Sequence, residues 1–118
     1  MSPRRVAATG VGVVCATGRD RAAHWQAMVD GRSAIGPLQT AERGDLGFSN
    51  GAQVHDFRAT DWFDERALLQ IDRFSQFLIV AAREAVADAG IRGDARLAER
   101  TAIVTGTGLG GKLTEDDG

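Results

Sequence analysis

A chain of 118 residues has the length of one domain, and a hydrophobic content of 43% excludes an intrinsically disordered polymer. The net charge of −2 gives no electrostatic case for binding nucleic acid. A single cysteine, Cys15, excludes an intrachain disulfide and a multi-cysteine metal site, and it fits a reducing compartment.

Residues 4–9 are expected to form a strand, because Val6, Ala7 and Ala8 run apolar without a break, as strands buried on both faces do. Gly10 and Gly12 then turn the chain, and residues 13–16 are apolar again. The pair Arg4 and Arg5 before this stretch invites a signal-peptide reading. Thr9, Gly10 and Gly12 interrupt any helical apolar segment, so the expectation is a buried strand in a soluble, cytoplasmic protein. No run reaches the ~20 apolar residues that a membrane span needs.

Asp20 is placed to cap a helix running to about Asp30, with Gly31 as its left-handed stop. Ala22, Trp25, Met28 and Val29 share one stripe at helical spacing and are expected to face the core. His24 falls off that stripe, is expected to be exposed, and has no partner at metal-ligand spacing. Cys15 reads as a buried structural residue. A nucleophilic role would need a base beside it, and neither His24 nor His55 can be placed there from spacing alone.

From 32 to 59 the periodicity fades among the turn signals Gly36-Pro37, Gly44-Asp45 and Asn50-Gly51, with strand-like residues at 53–57. Helical patterning returns at 61–90. Asp64 is expected to cap a short helix over 65–71, and Asp72 a longer one over 73–89 that stops at Gly90. Phe74, Phe77, Leu78, Ala81, Ala82, Ala85, Val86 and Ala89 form a wide apolar face, widened by Ile79 and Val80. That width predicts burial on more than one side, and the alanines leave room for another backbone to come close. Residues 91–99 read as a polar connector, followed by a β-branched strand at 101–105.

Strand, helices and strand in this order predict an α/β fold with the two strands parallel and joined right-handedly. Two such strands want further neighbours and helical cover. The chain is therefore expected to hold only part of a fold.

The second strand empties into Gly106, Gly108, Gly110 and Gly111, which match G-x-G-x-x-G. A dinucleotide-binding turn has this pattern, but it opens the first βαβ unit and leads to an acidic residue ~20 positions on. Here it arrives after ~90 residues of other structure. In the first turn Cys15 stands where the third glycine belongs. The alternative is a tight turn at a strand end, where glycine admits close packing.

Taken in order, the residues resemble the N-terminal part of a β-ketoacyl-acyl-carrier-protein synthase of the synthase II type, in the thiolase-like condensing family. The resemblance rests on RRVAATGVG at 4–12, Trp25 with GRSAI at 31–35, VHDF at 54–57, DRF at 72–74 with Gln76, DAGI at 88–91, and GTGLGG at 106–111. It implies a layered αβαβα fold, of which residues 1–118 would be the first part of the first half. It further implies decarboxylative Claisen condensation of an acyl group with malonyl-acyl carrier protein, in fatty-acid or polyketide synthesis, without metal, nucleotide or other cofactor.

The implied partners are acyl carrier protein and a second subunit. That subunit is either an identical copy or, in a synthase/chain-length-factor pair, a non-catalytic relative. The nucleophilic cysteine and two histidines of the family lie later in its sequence, so no catalytic residue is carried over to Cys15, His24 or His55. Two functional places do match. Leu109, flanked by Gly108 and Gly110, corresponds to the residue lining the acyl pocket. Arg66 and Arg73 fall in the helix region that receives the carrier protein, where Leu68, Leu69 and Gln70 make the basic patch poorer than the family's. A chain-length-factor-like subunit and a nucleotide-binding α/β module using 106–111 stand as alternatives.

Overall fold

The computed structural model describes residues 2–39 and 47–110. The turn signal at Gly44-Asp45 and the last glycine of the loop, Gly111, lie outside these residues. In chain order the elements are α1 (Arg21–Val29), β1 (Ile35–Pro37), β2 (Asn50–Ala52), a 3-10 turn (Ala59–Asp61), α2 (Glu65–Leu68), α3 (Arg73–Asp88) and α4 (Ala95–Ala98).

Each α-helix starts on an aspartate whose carboxylate accepts a backbone N–H of the first turn. Asp20 takes Ala23 N at 2.8 Å, Asp64 takes Ala67 N at 2.7 Å, Asp72 takes Ser75 N at 3.2 Å and Asp94 takes Arg96 N at 3.0 Å. The first three caps are those expected from the sequence. Gly31 and Gly90 follow the ends of α1 and α3 at φ 64° and 66°, a region costly for any residue with a Cβ. Helix α2 ends at Leu68, three residues earlier than expected, because Asp72 starts α3 so soon after it. Four residues inside the expected polar connector form α4, too short a run to leave a periodic signature.

Helix α3 is the axis of the molecule. Gly10 and Gly12 lie against its Ala81, Ala85 and Ala89. A Cβ on Gly12 would sit 1.9 Å from the Ala81 carbonyl oxygen, and one on Gly10 would sit 2.2 Å from that of Ala85. Because these are backbone atoms, glycine is required at both positions for the contact. Two carboxylates one turn apart on α3 fasten the approaching strand of chain. Glu84 accepts Val13 N at 2.9 Å and Arg21 N at 2.9 Å, and Asp88 accepts Val11 N at 3.1 Å. The Arg21 guanidinium also pairs with Asp88. Segment 11–13 and the start of α1 are thus held to one face of α3 by hydrogen bonds from their backbone N–H groups to its two carboxylates.

The expected parallel pair of strands does not form. The only ladder among the described residues is antiparallel, β1 with β2, in the register Ile35–Ala52, Gly36–Gly51 and Pro37–Asn50. The turn signals Gly36-Pro37 and Asn50-Gly51 therefore lie in this short ladder, and the strand expected at 53–57 is displaced to Asn50–Ala52. Segments 4–9 and 101–105 carry no strand, and Val6, Ile103 and Val104 are 94%, 89% and 93% exposed. Parallel pairing is weaker per residue than antiparallel, and two strands alone would bare both faces of their ladder to water.

Two burial expectations are also corrected. The α1 stripe of Ala22, Trp25, Met28 and Val29 faces outward, with Trp25 68% exposed, while Ala27 is buried and Ala23 and His24 are half-buried. Spacing identifies an apolar stripe, but it does not supply anything to cover it. On this short helix the alanine side, which lets the 15–18 turn come close, faces inward. On α3, Val80 is buried but Leu78 and Val86 remain partly exposed, so burial is one-sided. These two residues line an open cleft of about 1000 Å³ with Ile103 and Val104. The buried apolar residues among those described are Ala27, Phe57 and Val80.

Three outcomes are expected. With a Cα radius of gyration of 17.5 Å, against about 13–14 Å for a compact domain of this length, the isolated chain should bind apolar dyes and unfold broadly in urea. A sharp two-state transition would contradict this. Gly12→Ala should destabilise the 10–13 contact by about 1–3 kcal/mol through overpacking, read as faster tryptic cleavage after Arg19 and Arg21. Gly106→Ala is the control, since nothing lies within 4 Å of a Cβ there. Finally, the Arg21 hydrogen bond, and after it the Val11 N–H, hold the Asp88 carboxyl below the ordinary aspartate range. A lowered folded value means that the contact's contribution is present above the unfolded pKa and is lost as pH falls through the folded one. The Val11 amide shift in NMR should therefore titrate with a midpoint below that of a free aspartate. A midpoint at or above that value would show that the latch is absent.

Candidate functional site

The glycine loop lies beside the start of α3. Gly110 N donates to Thr107 Oγ1 at 2.9 Å, which folds the loop on itself. A Cβ on Gly110 would fall 2.7 Å from Phe74 Cε2, so glycine lets the loop touch that ring without moving it. Gly108 has open space around it, and Leu109 is 85% exposed. The loop therefore presents one bulky aliphatic side chain from a backbone with freedom around it. Its packing partner is an aromatic ring on the main helix. The strand that should precede a dinucleotide-binding loop is missing at 101–105.

The two basic residues are placed differently. Arg66 sits in the last turn of α2, exposed. Arg73, at the first position of α3, donates from Nη2 to the Val54 carbonyl at 2.8 Å. Its guanidinium also lies 4.9 Å from the centre of the Phe77 ring and 5.8 Å from that of Phe57. Those two rings meet edge to face at 4.8 Å, and Phe57 is buried. Arg73 thus ties the 54–57 segment to α3 through cation–π contact and a hydrogen bond to the backbone. Among the described residues no group of three or more His, Cys, Asp or Glu is placed to hold a metal. No helix among them is long and apolar enough to cross a membrane.

A cluster that spacing did not reveal lies at the start of α1. Residues 15–18 form a tight turn, with Cys15 N donating to Gly18 O at 2.8 Å and Gly18 N to Cys15 O at 3.1 Å. Gly18 comes so close to α1 that a Cβ there would sit 2.4 Å from His24 N. The turn thereby brings Thr17 Oγ1 to 2.8 Å from His24 Nδ1, and Cys15 Sγ to 3.2 Å from Thr17 Oγ1 and 3.4 Å from His24 Nδ1. His24 is half-buried rather than exposed, because it faces this turn. The signal available was the Thr17-Gly18 turn two residues before an aspartate cap, which folds the preceding residues back over the first helical turn.

Comparison with known proteins agrees with the order of motifs. The family profile described as "Beta-ketoacyl synthase, N-terminal domain" matches residues 3–118. The chain belongs to that family, whose N-terminal domain has the thiolase-like α/β fold. It is 41% identical over 108 residues to Nodulation protein E of Rhizobium sp., covering 92% of this chain and 27% of that protein. It is 32% identical over 117 residues to 3-oxoacyl-acyl-carrier-protein synthase 2 of Synechocystis sp., covering 98% and 28%. It is 37% identical over 109 residues to a putative polyketide beta-ketoacyl synthase 2 of Streptomyces coelicolor, covering 92% and 26%. The chain thus spans about a quarter of the length of the curated relatives it matches.

Proposed function

We propose that this chain is the opening part of the first thiolase-like half of a β-ketoacyl-acyl-carrier-protein synthase, and that its glycine loop forms part of the wall of the acyl pocket. The observation that carries this reading is the family match over 3–118, joined to the placement of an exposed Leu109 on a loop packed against Phe74. In the whole enzyme the reaction is a decarboxylative Claisen condensation. An acyl group passes from acyl carrier protein to a cysteine thiol. A malonyl thioester on a second carrier loses carbon dioxide, and the resulting carbanion attacks the acyl carbonyl and expels the thiolate.

The nucleophile of that sequence is not Cys15, which sits in the turn before α1 and matches no catalytic position of the family. The 118 residues by themselves are therefore proposed to be inactive in condensation. Acyl carrier protein is the proposed partner, met in part by the exposed Arg66, and the whole enzyme is proposed to work as a dimer. The commitment of Arg73 to Val54 and two phenylalanine rings leaves the 65–73 region with a thin basic surface, which favours one second reading, a chain-length-factor-like subunit. Covalent uptake of a radiolabelled acyl group by the full-length subunit at a cysteine other than Cys15 separates the two, since only the catalytic form has the condensing nucleophile.

Leu109→Phe in the full-length synthase should shorten the acyl chains it accepts, with KM for the longest substrates rising by about tenfold or more, as expected for lost pocket volume. Product chain lengths resolved by mass spectrometry check this. An unchanged profile would remove Leu109 from the pocket.

A further inference from the structure

The Cys15 turn holds a nucleophile, a relay hydroxyl and a base in one chain of contacts. With a proton on His24 Nε2, the free Nδ1 accepts the Thr17 O–H at 2.8 Å. The Thr17 oxygen is then free to accept the Cys15 S–H at 3.2 Å. Nδ1 also lies within direct reach of Sγ, at 3.4 Å. Cys15 is half-buried, neither sealed in a core nor fully in solvent. A thiol that is merely structural needs no such partners, and its usual surroundings are apolar. A nucleophile next to a base that a third group orients is the arrangement that raises thiol reactivity.

We propose that Cys15 is a modification site at which His24, acting through Thr17, draws off the thiol proton and makes the sulfur reactive toward small disulfides of the glutathione class. The Cys15 proton passes to the Thr17 oxygen as the Thr17 proton passes to His24 Nδ1. Sγ attacks one sulfur of the disulfide and forms a new S–S bond to Cys15. The original S–S bond breaks, and the departing sulfur leaves as a thiolate that takes a proton from the imidazolium. Cys15 is oxidised to the mixed disulfide, and the leaving half of the reagent is reduced to a thiol. This step is separate from condensation and uses none of its residues.

The test uses the whole chain with the aromatic disulfide dithionitrobenzoate. Because Cys15 is the chain's single cysteine, the released chromophore reports it alone. His24→Gln should slow the reaction at neutral pH by at least ~10-fold, the lower end of what a positioned base contributes. Thr17→Val should also slow it, while Thr17→Ser, which keeps the hydroxyl, should stay within about twofold of the parent. In urea all four chains should react alike and more slowly than the native parent. Oxidised glutathione should give a mixed disulfide on the native parent, seen by mass, faster than on Thr17→Val. Equal native rates for the parent and His24→Gln would overturn the proposal. So would a parent that reacts no faster folded than in urea, or a Thr17→Ser chain as slow as Thr17→Val. If His24→Gln loses the helical circular dichroism of the parent, the Thr17 pair decides.

Discussion

The structure depends on how closely residues 10–13 approach α3. Two glycines and three alanines remove every side chain that would hold the backbones apart. Two carboxylates on the helix, Glu84 and Asp88, then accept the N–H groups that the approach exposes. The same carboxylates reach the backbone and guanidinium of Arg21, so the orientation of α1 follows from the same latch. Steric permission and polar satisfaction are both needed. The carboxylates turn close approach into hydrogen bonds, and without the glycines the backbone could not come near enough to make them.

At the other end of α3, Arg73 gathers the 54–57 segment by a backbone hydrogen bond and two aromatic faces, with Phe57 buried beneath it. The helix is therefore clamped near both ends while part of its middle remains open. Leu78 and Val86 line a cleft with Ile103 and Val104. A sheet of parallel strands would normally fill such a space. The residues that would supply the strands, 4–9 and 101–105, have the composition for it but no ladder partner. The relatives are more than three times as long as this chain.

The two chemical features of the chain differ in kind. The glycine loop presents an apolar side chain and no reactive group, which suits a pocket wall and not a catalytic centre. The 15–18 turn presents a thiol, a hydroxyl and an imidazole within 3.4 Å of one another and lies in the turn that precedes α1. The first takes its meaning from the family. The second follows from this chain's own residues.

Local features were legible in the sequence because they depend on neighbours in the chain. The aspartate caps at 20, 64 and 72, the left-handed stops at Gly31 and Gly90, and the extent of α1 and α3 follow from residues a few positions apart. The ordered motifs likewise disclosed the family, since their spacing survives without any knowledge of contacts. The alanines of α3 correctly signalled that a backbone would come close. Which faces are covered was decided only in three dimensions. Trp25 and Met28 form as good a stripe as Ala23 and Ala27, and burial depends on which side meets the 15–18 turn. Strand pairing at 4–9 and 101–105 depends on neighbours that a β-branched run does not itself provide. The Cys15–Thr17–His24 cluster needed both a tight turn and a helix that returns over it. Periodicity describes one element at a time, while the cluster exists only where two elements meet.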